Sequence, residues 1–592
     1  MKKMFVLIER WTLPTLVCTS IILFFLTVGE KMGAELAANP IEAGVQALTL
    51  DSTETGFTLY MNFAINLTFA WAALKIFMAS VGLKWDNIIA RRLTRGHVVI
   101  AAGSSEKENF HEHPLRSKLS LAIDLAYALA PTETIVLTAP EINELQRTKL
   151  WDNGVRVITH DGNSTDMLNA VGASRAKTLI AVRDHFDDNI ALCRAALSPS
   201  LKNPSLECKC MVEPLAKKRA FRPEDYFEVE TLVRLRSFNE SELIARRIFS
   251  EFPPDAKVAE TEQRVHVLLV GLSSVGQALV QHLARMGHYR SGLKPKITIV
   301  DRNVEAKWSS LTVSLPAVAD WILVEKIEID ADHITRQMLD EWLEDDDPIT
   351  IVYVCRKNEI SNLRIARLLL DRQMEASLQK NRAIADVVAL DPPDGIVLSD
   401  FHIHGNHGGH FHLFSLVGVD GRVKDSVVTK GLLTDIDDTR ARFIHDAYRA
   451  KDLAMTVQNP EHQIHPNSCP WEDLHEDIRD ANRMVAGHFE IKLRAIDCRL
   501  GSIDEDKEAN LNMDELEVIS IMEHNRWWAD RALNGWQLGP VRNDIQKVHP
   551  NMVPYDELSE ADKQKDRDSV MEMTKILRSE GAIIVRNVQT QD

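Results

Sequence analysis

The chain has 592 residues, 45% hydrophobic and 26% charged, which are the proportions of globular domains and exclude disorder or low complexity for most of its length. Its 86 acidic residues against 69 basic ones give a net charge of −17. That balance excludes a protein that holds nucleic acid by bulk electrostatics, which needs a basic face toward phosphate. Seven scattered cysteines without a CxxC pair are the profile of a reduced, cytosol-facing protein with no zinc ribbon or disulfide framework.

A mean hydropathy of −0.17 conceals the N-terminus. Residues 11–29 and 55–74 carry no charge. Each run is long enough to cross about 30 Å of hydrocarbon. A cleaved signal peptide would explain only the first, and no A-x-A site follows it. The expected spans are residues 11–29 and 56–80. Lys2, Lys3 and Arg10 precede the first, Lys75, Lys84, Arg91, Arg92 and Arg95 follow the second, and the loop between is acidic. A two-pass protein with both termini cytoplasmic is expected. Residues 34–50, broken at Asn39-Pro40, read either as a re-entrant helix or as a surface loop. The first alternative is the layout of a two-span tetrameric channel. Thr58, Asn62 and Asn66 share one helical face, as a pore lining or a helix–helix interface would require. Four copies of Asp51 and Glu54 would form an acidic ring that favours cations. Leu48 to Glu54 does not read as a T-V-G-Y-G-like filter, so no particular ion is assigned.

Residues 96–255 alternate strand and helix, as in a parallel sheet covered on both faces. Strands are expected at 97–103, 134–138, 155–158 and 178–182, with helices at 115–130 and 165–171. The run GVRVITHDGNSTDMLNAVGASRAKTLIAVRDHFDDNIALCRAA resembles the regulator-of-potassium-conductance (RCK, or TrkA N-terminal) domain. Its phosphate turn departs from G-x-G-x-x-G: Ala102-Gly103-Ser104-Ser105-Glu106 would put a carboxylate beside phosphate, and the second strand ends in Thr138-Ala139 without a ribose-binding acid. A degenerate, structural Rossmann unit is expected.

A second unit spans 260–440. The apolar strand 265–270 enters Gly271-Leu-Ser273-Ser-Val-Gly276 and a helix over 277–286, and the next strand ends at Asp301. An acid in that place suits a ribose hydroxyl, and Ser273 stands where the middle glycine belongs. Further strands are expected at 349–354 and 384–390. This unit again resembles an RCK-type Rossmann domain, and Gly271, Ser273, Gly276 and Asp301 are its candidate nucleotide residues. His402, His404, His407, His410 and His412 form a dense run that reads as a metal site or as a polar surface hairpin.

Residues 441–592 are mainly helical in pattern. Asn512 to Glu515 is a capping box opening a helix that runs to Asn534, with Gly535 to stop it. The helix carries Arg526, Trp527 and Trp528, and the loop after it carries Trp536, Arg542, Asp544 and His549. Indoles stack on planar rings and guanidinium groups fork onto phosphate, so the cluster suits an anionic planar ligand. Tryptophans packed as half-buried core with arginines against them are the other reading. HNRWWADRALNGWQLGPVRNDIQKVHPNMVPYDEL closely resembles the ryanodine-receptor (RyR) repeat domain. Residues upstream resemble the lead-in of bacterial membrane proteins that combine two spans, two RCK-like domains and a RyR domain.

The resemblance implies a homo-tetramer in the bacterial cytoplasmic membrane that senses a nucleotide-derived ligand, with NAD(H), ATP or a cyclic nucleotide as candidates, in an anti-phage role. Arg526, Trp527, Trp536, Arg542, Asp544 and His549 would be its ligand site. Three functions are compatible: a ligand-gated cation channel, a non-conducting membrane effector or scaffold, and a membrane-anchored NAD-linked enzyme. No nucleophile elbow, Walker A loop or HExxH supports catalysis.

Overall fold

The computed structural model describes residues 94–103, 117–160, 164–343, 347–356, 359–380, 383–391, 410–415, 436–459, 461–503 and 507–587, all within one compact unit, Ala90–Asp592. Both apolar N-terminal runs, the 34–50 loop and Asp51, Glu54, Thr58, Asn62 and Asn66 lie outside them. Among the described residues no helix is long and apolar enough to cross a membrane.

The buried apolar runs form two six-stranded sheets. Strands β1 (Val98–Ala102), β2 (Ile135–Ala139), β3 (Arg156–Thr159), β4 (Thr178–Val182), β5 (Glu207–Met211) and β6 (Leu235–Phe238) stand in the order 3-2-1-4-5-6. Strands β7 (His266–Val270), β8 (Lys296–Asp301), β9 (Leu323–Glu328), β10 (Ile351–Val354), β11 (Asp386–Asp391) and β12 (Phe411–Ser415) stand in the order 12-11-10-7-8-9. That is one arrangement used twice: the doubly wound Rossmann order, with its switch point between the first and fourth strands. Neighbouring strands run parallel throughout, Val98 beside Ile135 and Thr178, and Val267 beside Ile297 and Ile351. Every residue of β1 and of β7 is buried, as strands covered on both faces by crossover helices must be.

A shared side-chain device marks the repeat. Asn189 accepts from the Arg183 N–H at 2.9 Å and donates to the carbonyls of Arg183 and Met211. In the second sheet Asn362 accepts from the Arg356 N–H at 3.1 Å and donates to the carbonyls of Arg356 and Leu390. Each asparagine ties the end of its fourth strand to the fifth.

The expected helices form at Lys118–Leu129, Ser164–Ala170 and Ser274–Met286, the last capped by the Ser273 hydroxyl. The histidine run is corrected in part. It is not a hairpin where it is described: β12 is an edge strand parallel to β11, with His412 beside Val388. His410 meets Asp386 at 2.8 Å, and His412 packs on Phe252 with ring centroids 4.8 Å apart. His402, His404 and His407 lie outside the described residues, among which no group of metal-ligating side chains occurs.

The C-terminal part places the helices Ile436–Gln458, Glu476–Ala495, Met513–Leu533 and Glu560–Ser579 around two small sheets. One is the antiparallel pair β13 (Cys498–Ser502) and β16 (Ala582–Arg586); the other is β14 (Gln537–Leu538) beside β15 (Val548–His549). The capping box forms as read: Asn512 Oδ1 accepts from the Glu515 N–H at 2.9 Å, and Glu515 accepts from the Asn512 N–H at 2.8 Å. One continuous apolar core joins Leu121 and Ile180 of the first unit, Leu269 and Leu283 of the second unit, and Phe489, Ile519 and Met573 of the C-terminal helices. That continuity sets the three parts around a common cavity.

Candidate functional site

The cavity holds about 970 Å³, and its wall comes from all three parts. The first Rossmann unit contributes the segment after β5 and the strand β6, and the second contributes Gln281 and Arg285. The C-terminal part contributes the helices at 436–458, 476–495 and 513–533 and the loop that follows. Twelve lysine and arginine side chains line it against eight carboxylates. In a chain of net charge −17 this is a local reversal of sign.

Part of that charge is structural. Asp438 receives Arg483 at 2.5 Å and Arg236 at 3.3 Å, which joins the lead-in helix to β6. Asp480 receives Arg246 at 2.5 Å and Arg285 at 3.5 Å, one from each Rossmann unit. Burial opposes the Asp480 charge, but Arg246 and Arg285 outweigh it and hold the carboxyl far below the usual range. Arg285 also meets Asp530 at 3.2 Å.

Arg526 belongs to this structural set. It is 3% exposed, and its guanidinium reaches Glu523 at 2.7 and 3.2 Å. Lys492 approaches the same carboxylate at 2.6 Å. Burial works against the Arg526 charge, and the Glu523 carboxylate overrides it to raise the pKa. The expected phosphate fork is thus already occupied by a neighbour one turn away.

Of the other predicted residues of the RyR-like segment, Trp527, Trp536, Arg542 and Asp544 line the cavity, while His549 stands outside its wall and packs against the two indoles. Trp527 meets His549 edge to face at 4.9 Å, and Trp536 lies 6.4 Å from the same imidazole. The pairing of β14 with β15 brings Trp536 and His549 together, and it needs Gly539, where a Cβ would come within 2.2 Å of Val548 Cγ1. Arg542 forks onto Asp544 at 2.7 and 3.0 Å, with both side chains about half exposed. Burial lowers the His549 pKa, and the Arg542 and Arg531 charges lower it further. The imidazole is therefore neutral at neutral pH.

Four cations of the wall were not among the expected residues. Arg531 stacks over Trp536 at 4.8 Å. Lys218 donates to Ser237 Oγ at 3.0 Å, and Lys547 donates to the Asn534 carbonyl at 3.0 Å. Arg222 donates to the carbonyls of Phe221 and Arg219 at 3.2 and 3.3 Å. Among the described residues none of the four makes an ion pair. Arg531 was within reach of sequence reasoning, since it lies four residues past Trp527 on the same helical face. Arg222 and Lys218 carry no such signal.

The Rossmann turns are filled differently. Gly271 has φ +99°, and a Cβ there would lie 2.7 Å from Arg356 Cγ, so the arginine side chain rests on the turn. Asp301 accepts from the N–H groups of Leu272 and Asn303 at 2.8 and 2.9 Å and from Lys307 at 2.7 Å. Its carboxylate, expected to face a ribose, is engaged within the turn. Gly276 packs against the Gly271 carbonyl oxygen, which a Cβ would approach to 2.4 Å. In the first unit Asp184 rests on Gly103 as Arg356 rests on Gly271.

Residues 510–586 match the family described as RyR domain. They include all six residues of the C-terminal candidate site. Two solved structures of GsuK are similar over most of the chain. One, bound to ADP, is 15% identical, covers 73% of this chain and 98% of its own, and has a TM-score of 0.34. The other, the GsuK channel bound to NAD, is 14% identical, covers 74% of this chain and 84% of its own, and has a TM-score of 0.35. A dipicolinate synthase chain from Bacillus halodurans is 12% identical over 57% of this chain and 95% of its own, with a TM-score of 0.21. The cavity, and not these neighbours, carries the functional reading.

Proposed function

We propose that the RyR domain and its lead-in form a receptor for a small anionic ligand bearing a planar ring, a nucleotide-derived molecule such as NAD(H), ATP, ADP-ribose or a cyclic nucleotide. One observation carries the reading. Trp536, with Arg531 stacked on it, and Trp527 line a cavity of about 970 Å³ whose wall has more cations than carboxylates, and the His549 imidazole contacts both indoles. An indole offers a stacking face to any base, and an arginine without a carboxylate partner offers its fork to phosphate.

The response would pass to the N-terminal apolar segments. In this reading the chain is a two-pass protein of the bacterial cytoplasmic membrane and a homo-tetramer. Ligand binding favours one arrangement of the cytosolic units by the difference in its affinity for the two. A cation channel in an anti-phage role is the first form of the proposal, and a non-conducting membrane effector the second. A NAD-linked enzyme has less behind it, because Asp301 is bonded to Lys307 and Arg356 covers Gly271.

The test is thermal shift of the detergent-purified full chain against NAD, NADH, ATP, ADP-ribose and cyclic dinucleotides. A ligand that binds only the folded state adds about 2.7 kcal/mol at a hundred times its Kd. Trp536→Ala is expected to weaken binding by about 1–3 kcal/mol, the usual worth of one base stacked on an aromatic ring. A shift unchanged in Trp536→Ala sinks the reading. Single-channel current against dye leakage from liposomes then separates the channel from the effector.

A further inference from the structure

The like-charged rim of the cavity crosses a domain boundary. Arg222 belongs to the first Rossmann unit and Lys547 to the loop of the RyR domain, and both line the same cavity. The mount under Arg222 is rigid: Phe221 beside it stacks on Tyr226 at 5.4 Å and meets Phe186 edge-on at 5.9 Å. Two residues earlier, Arg219 bonds Gln281 at 2.7 Å and Ser314 at 3.1 Å, which ties the segment to the second unit as well. Lys547 stands with φ +53°, its ammonium held toward the cavity by the Asn534 carbonyl. Burial lowers the Lys547 pKa, the Arg222 charge lowers it further, and Asp477 and Glu224 offset this in part. Arg222 and Lys547 therefore repel each other across space that no carboxylate closes by an ion pair to either of them among the described residues.

Resting on the ring-binding role proposed for Trp536, we infer that the first Rossmann unit is the other half of the receptor. Arg222 and Lys218 hold a second anionic group of the same ligand, opposite Lys547, so the ligand carries a chain of phosphates, as in a nucleoside polyphosphate or a pyrophosphate-linked dinucleotide. The Rossmann unit acts through the segment after β5 and not through its glycine turn. A polyphosphate placed there removes the repulsion between Arg222 and Lys547 and clamps the two domains together. The ligand thereby gains the differential affinity that a regulatory site needs. The isolated RyR domain would hold the ring end alone.

Inorganic tripolyphosphate and ADP-ribose are the probes, with the detergent-purified full chain, and binding and amide hydrogen exchange are both read. Tripolyphosphate is expected to bind at millimolar concentration or below and to protect residues 215–225 together with 536–549. Arg222→Gln, an exposed substitution, is expected to weaken it about ten-fold or more, the scale of a charged hydrogen bond. Arg302→Gln, a control with 75% side-chain exposure outside the cavity, is expected to leave binding as it was. Absence of tripolyphosphate binding overturns the inference, as does protection of 536–549 alone with Arg222→Gln binding like the parent. In that second case ADP-ribose binding lost in Trp536→Ala would leave the ring site standing. Tripolyphosphate binding that needs Arg222, with ADP-ribose insensitive to Trp536→Ala, would retain the anion clamp and remove the ring site.

Discussion

Two arginines of the RyR domain with equal claims in the sequence have different work. Arg526 shares Glu523 with Lys492 in a buried trio, while Arg542 pairs with Asp544 at the surface. Removing the one carboxylate leaves two buried cations unpaired, and breaking a buried pair in this way costs about 3–5 kcal/mol. Glu523→Gln is therefore expected to lower the unfolding midpoint of the C-terminal part steeply. Arg542→Ala, at an exposed site, is expected to stay within about 0.5 kcal/mol of the parent. Denaturant melts followed by tryptophan fluorescence check both, and an unchanged Glu523→Gln midpoint would refute the structural role. The pairing was partly legible, because Glu523 and Arg526 stand three residues apart on one helix. The arrival of Lys492 from another helix was not.

At the scale of elements, the strand–turn–helix of the second unit shows what its two glycines do. Gly271 supplies a left-handed turn, and Gly276 lets the helix approach the strand. In Gly276→Ala the new methyl would meet a backbone oxygen that cannot swing aside, and overpacking of this kind costs about 1–3 kcal/mol. The expected result is a lower melting temperature with nucleotide binding at the C-terminal cavity unchanged. A variant as stable as the parent would contradict the close approach. The strands legible in the sequence are the apolar ones, such as β1, β4 and β7, since burial on both faces leaves an unbroken apolar run. Strands β5, β6, β9 and β12 carry no such run. β9 reads Leu-Val-Glu-Lys-Ile-Glu, an edge strand with charged residues on both faces, and β5 mixes Glu and Lys with cysteines. Such strands are defined by the neighbour they join more than by their own composition.

At the scale of the whole molecule, the junction between the second unit and the C-terminal helices buries two uncharged histidines. Burial lowers the His288 pKa from 6.5 to about 3, with Arg526 adding to it, and holds His488 well below its ordinary value, with Lys492 adding to it. Below pH about 6.5 the unfolded chain takes up protons that the folded chain refuses, so stability falls as the pH drops toward the folded values. Each histidine contributes about 1.4 kcal/mol per pH unit across that window. Glu523 and Asp480 act lower: their carboxyls are depressed, so their contribution is intact above the ordinary carboxylate range and is lost as the pH falls from that range toward the depressed folded values. The fall in melting temperature between pH about 6.5 and 5 is thus expected to belong to the histidines. It should be shallower in His288→Gln, judged by slope and not by the absolute melting temperature. A parent curve flat over that range would count against the buried neutral imidazoles.

By itself the sequence determined two strand–helix alternations with their first and fourth strands, the capped helix of the RyR domain, and the aromatic and arginine residues that gather on its cavity. These are local matters, written in periodicity, in caps and in the spacing of glycines. It takes the tertiary fold to show that Arg526 serves Glu523, that Arg356 and Lys307 occupy the Rossmann turn, and that Arg222, Lys218 and Lys547 line one cavity. A side chain's role at a junction depends on which groups the packing brings opposite it. That is settled by the continuous core shared by the three parts, and no local pattern in the chain encodes it.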